Sequence, residues 1–92
     1  MKNYRDMRVW EKAHAFVVKT YDISKSFPKS ELYGLTNQLR RAAVSIPANL
    51  AEGCGKSSDC EFGRYIDIAS GSASETDYLT LLARDLTLRG VE

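Results

Sequence analysis

The stretch from Ala42 to Ala51 most constrains what this chain can become. It lies within a run of helical period, where Leu32, Leu35, Leu39, Ala42, Ile46 and Leu50 recur at spacings of three and four. Such spacing places them on one seam of a helix, read here over residues 29–52. From Ala42 onward that helix is apolar nearly all round, and a helix without a wet face is buried on more than one side. A chain of 92 residues forms one domain with a thin core. The second side must therefore be covered by another subunit or a partner, and this is the physical ground for expecting a homo-oligomer. Ser30 or Pro28 can start the helix, and Gly53 and Gly55 suit its C-terminal end. Pro47 lacks the N–H that would bond the carbonyl of Ala43, so a continuous but kinked helix is expected. The alternative is a second helix beginning at Pro47.

Two further helices flank this one. Residues 6–26 carry Met7, Trp10, Ala13, Val17 and Tyr21 on one stripe, widened by Phe16, Val18 and Ile23. Asp6 is placed to cap that helix, and Phe27-Pro28 ends it, because a residue before proline leaves the α region. The third helix, residues 58–88, opens on the capping box Ser58-Asp59-Cys60-Glu61. Phe62, Tyr65, Ile66, Ala69, Ala73, Thr76, Leu79, Ala83 and Leu86 then keep its period. Its small-residue run Ala69–Ser74 predicts close approach of a neighbouring backbone. No strand-like alternation appears, and the connections are short, so consecutive helices should pack antiparallel. The fold class is all-α, an antiparallel up-down bundle of three helices forming one domain over residues 1–92.

The chemistry is sparse. Cys54 and Cys60, with five residues between them, match neither a CxxC pair nor a zinc knuckle, and His14 is the only imidazole. Both cysteines read as reduced thiols near a loop, and His14 as a surface residue. No nucleophile–base pair, phosphate loop or paired-carboxylate pattern stands out, so no catalytic residue, metal or cofactor is expected. Composition is that of a globular protein, 43% hydrophobic and 27% charged, which argues against disorder. No apolar run reaches the length of a membrane span, and the N-terminus does not read as a signal peptide. A cytoplasmic protein without membrane partners is the expectation.

Polar residues interrupt the apolar pattern in two places. On the second helix, Gln38, Arg41, Ser45, Asn49 and Glu52 form a stripe that is either a solvated face or a hydrogen-bonded seam fixing register between helices or subunits. Glu75 on the third helix shares a face with Ile68, Ser72, Leu79 and Leu82. Buried there, its carboxylate would need a cation, and Arg40 and Arg41 are the candidates, within the chain or across subunits. Charge is also uneven. Residues 1–29 hold seven basic and three acidic groups, residues 54–92 four and seven, while the whole chain is only +1. Arg5, Arg8, Lys12 and Lys19 read as one basic face of the first helix. Either it is solvated and complements the acidic third helix, or it is a phosphate-binding strip for RNA or DNA. No aromatic residues interleave with these bases as a stacking platform would require.

The segment Gln38-Leu39-Arg40-Arg41-Ala42-Ala43-Val44-Ser45-Ile46-Pro47-Ala48-Asn49-Leu50-Ala51-Glu52-Gly53 resembles the signature of the bacterial four helix bundle family, also called the 23S rRNA intervening-sequence protein family. The resemblance extends to Val9-Trp10-Lys12-Ala13, Glu31-Leu32-Tyr33-Gly34-Leu35, Glu61-Phe62-Arg64-Tyr65 and Ile68–Glu75, and so covers nearly the whole chain. It implies a helical bundle assembling into a homo-oligomer, a pentameric barrel in some members. A similar protein, the accessory variability determinant of diversity-generating retroelements, associates with reverse transcriptase and nucleic acid. Arg40, Arg41, Ser45, Asn49, Glu52, Ser72 and Glu75 match the family signature. Two departures stand out. Family members usually continue into a fourth helix, so this sequence is either truncated or completed by a partner, leaving Leu79, Leu82 and Leu86 to be covered. The near-neutral charge also gives a weaker field than a strongly basic accessory protein should have. The expected function is a non-enzymatic oligomeric helical-bundle protein that contacts nucleic acid or a nucleoprotein through Arg5, Arg8, Lys12 and Lys19. The alternative is a protein-only scaffold.

Overall fold

A computed structural model describes residues 2–86. Three helices dominate: α1 (Arg8–Ser24), α2 (Asn37–Cys54) and α3 (Asp59–Asp85), with no strand among the described residues. The predicted all-α class holds, with shifted boundaries. Asp6 does not cap α1. It closes a short 3-10 turn (Tyr4–Asp6) whose own cap is the Asn3 side chain, and Met7 then leads into α1 in extended conformation with no side-chain cap. The second helix starts later than residue 29. Lys29–Glu31 form a 3-10 turn, and Leu32–Thr36 form a wide turn broken at Gly34 (φ −108°, ψ −111°). The Glu31 carboxylate bridges the break by accepting from the Leu35 N–H at 3.3 Å. The last two residues assigned to the third helix from sequence lie outside the described residues.

Helix α2 runs unbroken through Pro47 and ends at Gly55, so Gly53 lies inside it rather than capping it. The reason is packing: a Cβ at Gly53 would stand 2.8 Å from the Tyr65 Cβ of α3. The close backbone approach predicted for the small residues of α3 occurs here instead. At Gly71, an added Cβ would meet nothing within 4 Å, although Ala69 and Ser72 do face α2. The Ser58 hydroxyl caps α3 as expected, accepting from the Glu61 N–H at 3.1 Å.

Helix direction can be read from the bonds between helices. Cys54 meets Met7 and Arg40 meets Ser24, so α1 and α2 are antiparallel. Tyr65 meets Glu52 and Ser72 meets Ser45, so α2 and α3 are antiparallel too. Helices α1 and α3 are therefore parallel, and both pack on α2 while sharing almost no contact with each other. The core follows this layout: Phe27, Leu35, Leu39, Ala42, Leu79 and Ala83 cluster between α2 and its two neighbours. Of the α2 seam, Leu35, Leu39, Ala42 and Leu50 are buried, whereas Leu32 is exposed.

One side of the molecule is left open. The radius of gyration is 14.6 Å with extents of 48 × 19 × 18 Å, against about 12 Å for a compact chain of this length. The accessible surface is 6269 Å², roughly 900 Å² more than a compact monomer of this size exposes. The open side differs from the one expected. Leu79 is buried at 3% exposure and Leu82 is half-buried, so of the three leucines named from sequence only Leu86 is well exposed. Other large apolar side chains facing out are Val9, Phe16, Val18 and Ile23 of α1, Val44 of α2, and Ile68 and Leu81 of α3.

Candidate interaction surface

Two surfaces collect the residues singled out from sequence. The first is a polar cleft of about 470 Å³ between α2, α3 and the Gly34 turn, lined by Tyr33, Gln38, Arg41, Ser45, Ser72 and Glu75. The α2 stripe divides here by depth. Ser45, Asn49 and Ser72 are half-buried and bonded to one another: the Asn49 amide donates to the Ser45 carbonyl (2.8 Å) and hydroxyl (2.9 Å), and the Ser72 hydroxyl donates to Ser45 Oγ at 2.8 Å. That trio joins α2 to α3. Gln38, Arg41, Glu52 and Glu75 are exposed. Tyr65 donates to the Glu52 carboxylate at 3.3 Å.

The Arg–Glu75 contact is absent within the chain. Arg41 and Glu75 line the same cleft, yet the ion pairs among the described residues are Lys2–Asp59, Asp22–Lys25 and Arg84–Asp85. Glu75 is solvated, so nothing forces it to find a cation. Arg40 turns the other way. Its Nε donates to the Ser24 hydroxyl at 2.7 Å, and its guanidinium lies 4.8 Å from the Tyr21 ring centroid. It thus ties α2 to α1, a role the sequence signalled only through an aromatic and a serine on the facing stripe.

The second surface is the open side opposite α2, where a groove runs between α1 and α3. Its upper part, about 420 Å³, is lined by Val9, Lys12, Phe16, Thr76, Asp77 and Thr80. Its lower part, about 120 Å³, is lined by Phe16, Lys19, Ile23, Leu39, Thr80 and Ala83. Val9, Phe16 and Ile23 are spaced by seven, which gives α1 an apolar ridge along the groove of the kind that packs against another helix. Lys12 and Lys19 stand on its rim, with Arg8 continuing their stripe one turn earlier.

Arg5 does not share that stripe. The extended residue Met7 separates its turn from α1, and its guanidinium sits 4.8 Å from the Tyr4 ring. Tyr4 meets Trp10 edge-on at 4.9 Å, and Trp10 stacks on the exposed His14 at 5.1 Å and 4°. One base thus does join an aromatic cluster, while Arg8, Lys12 and Lys19 run along α1 without one. Cys54 is buried with its thiol 3.1 Å from the Met7 sulfur, and Cys60 is exposed, both free. Among the described residues no group of three His, Cys, Asp or Glu could hold a metal, and no helix is long and apolar enough to cross a membrane.

The arrangement is a layer of helices held by a small-residue seam on one side and open on the other. Comparison with curated proteins finds no match. A family model described as 23S rRNA-intervening sequence protein matches residues 5–90, a span that takes in all three helices, the Ser45–Ser72 seam and the α1 ridge. The chain belongs to the 23S rRNA-intervening sequence protein family.

Proposed function

We propose that this chain is a non-enzymatic subunit that self-assembles through its open side and acts as a helical scaffold. The observation that carries this reading is the groove between α1 and α3, where Val9, Phe16 and Ile23 remain partly exposed beside a surplus of surface. Exposed apolar ridges at helical spacing mark protein interfaces rather than catalytic sites. The titratable groups suited to catalysis are dispersed: Cys54 is packed on Met7 and His14 on Trp10. Light scattering on the eluting peak of a sizing column tests the assembly directly. The expected mass is a multiple of the chain mass that persists in high salt. A single-chain mass at every concentration would sink the reading.

A second reading keeps nucleic acid as the partner, through Arg8, Lys12 and Lys19 with Arg5 nearby. Its support is that none of these four cations has an ion-pair partner among the described residues. Fluorescence anisotropy of labelled structured RNA and duplex DNA across a salt series separates the two. Phosphate contacts would give affinity that falls steeply with salt, by about one unit of log–log slope per contact. Flat anisotropy at low salt leaves the protein scaffold.

A further inference from the structure

We infer that the polar cleft between α2, α3 and the Gly34 turn binds a small amino-carboxylate zwitterion, with Arg41 holding its carboxylate and Glu75 its ammonium group. The inference does not depend on the assembly reading. The cleft exists because both helices present small residues at its floor. Ala42 and Ser45 of α2 and Ser72 of α3 leave about 470 Å³ open above them, within the ~300–1,000 Å³ of small-molecule sites. The Gly34 break forms one end and leaves Tyr33 91% exposed at the rim. The register of the helices then places the charges. Ser72 bonds Ser45 at 2.8 Å, and α2 and α3 run antiparallel. Arg41 lies four residues before Ser45, and Glu75 three after Ser72. Both therefore stand about one turn, roughly 4.5 to 6 Å along the axis, in the same direction from that bond. They face each other across the cleft at one level, each exposed and neither in an ion pair among the described residues.

One cation and one anion on facing walls select the ligand by charge. A phosphate or a nucleic-acid backbone gains from Arg41 but is repelled by Glu75, and a polyamine meets the reverse. A molecule with one group of each sign makes both contacts attractive at once. Neutral groups complete the site. Ser45 already accepts from Asn49 and Ser72, so its own O–H is the donor left for the cleft. Gln38, one turn before Arg41 on the same wall, is exposed in the cleft, and its amide can donate to the same carboxylate. Water screens both charged contacts because the walls are exposed, so affinity on the order of millimolar is expected for a ligand of ~10 heavy atoms.

An amide-resolved NMR titration of the full chain with linear amino acids of increasing charge separation tests this. The probes are glycine, β-alanine, γ-aminobutyrate and ε-aminocaproate, with butyrate and butylamine as single-charge controls. The expected result is saturable shift changes at Gln38, Arg41, Ser72 and Glu75 for at least one zwitterion, with both controls about tenfold weaker. Arg41→Gln and Glu75→Gln should each weaken that zwitterion by about tenfold. The reversal Arg41→Glu with Glu75→Arg should restore it, with the ligand turned end for end. Recovery in the reversed pair separates charge recognition from a disturbed fold. No saturable shift with any zwitterion up to tens of millimolar overturns the proposal, and so does a control that binds as tightly as the zwitterions. Binding that survives both single substitutions lies elsewhere on the chain and overturns it too. The mass of the same samples is read separately. A failed titration therefore leaves the assembly reading untouched, and a monomeric chain that binds leaves this site standing.

Discussion

The two flanks of α2 are built differently from similar composition. Toward α3, contact is close: Gly53 makes room for the Tyr65 Cβ, and Ser45, Asn49 and Ser72 satisfy one another inside the seam. Toward α1, contact is looser and carried by larger groups, with Arg40 spanning to Ser24 and Tyr21 and Thr20 and Ser24 buried at the interface. Between α1 and α3 there is almost nothing. Small residues allow helices to approach and hydroxyls to bond directly, whereas Phe16 and Ile23 on α1 stay partly exposed beside Leu39, Thr80 and Ala83. Under the assembly proposed above, the difference separates what holds the chain together from what it would offer to a second one. Substitutions on the two sides should therefore fall on different observables.

The largest effect is expected in the closed region. Leu79 is 3% exposed and packs in the core cluster with Leu39 and Ala83. Leu79→Ala should cost about 3 kcal/mol in urea-induced unfolding, the sum of lost burial and a residual cavity. An open chain of this size has little stability in reserve, so the variant should be largely unfolded near body temperature. The matching change in the open region, Phe16→Ala, belongs to the association equilibrium instead. A Leu79 variant that unfolds like the wild type would mean that α3 is not seated on α2 as described.

Much of the fold was legible in the sequence, and the failures have physical causes. Three helices follow from the three-four spacing, and Ser58 followed by Glu61 marks the start of α3 because a side chain there meets a free N–H. Asp6 fails as a cap because Asn3, earlier in the chain, caps a 3-10 turn that leaves Asp6 inside it. The second helix starts late because the chain breaks at Gly34, and the sequence places the start too early because Leu32 and Leu35 keep step across that break. The residues of the candidate surfaces were legible one by one but not in their grouping. Period placed Lys12 and Lys19 on one stripe. That the stripe borders a groove depends on α1 and α3 both choosing α2, a tertiary fact that no single helix encodes. Arg5 was grouped wrongly because helical spacing was carried across Met7, where the chain is extended.

A smaller effect is expected at the α2–α3 seam. Ser72→Ala removes the hydroxyl that donates to Ser45, in a half-buried position. Ser45 keeps the Asn49 amide as a partner, so no polar group is stranded. The loss should be about 1 kcal/mol, the net value of one hydrogen bond. Parallel unfolding curves with a shifted midpoint would show it, and a change of several kcal/mol would mean that the trio acts as a single cooperative unit.

The smallest effect on the isolated subunit is expected at Glu75, and it is the most informative about the polar cleft. Glu75 matches the family signature, yet it is exposed, has no ion-pair partner among the described residues and shares its cleft with Arg41, for which the same is true. Glu75→Gln keeps the shape and removes the charge. In a subunit whose cleft is solvated, unfolding stability should stay within about 0.5 kcal/mol, because an exposed carboxylate without a partner has little to lose. The same holds for Arg41→Gln, and the two changes together should simply add. A double-mutant cycle with more than about 1 kcal/mol of coupling would mean that Arg41 and Glu75 do find each other in solution. Coupling that grows with protein concentration would place their meeting between subunits. The second, polar side of α2 would then be an interface as well, and the contrast between a closed side and a single open one would have to give way to a subunit that is sticky on both.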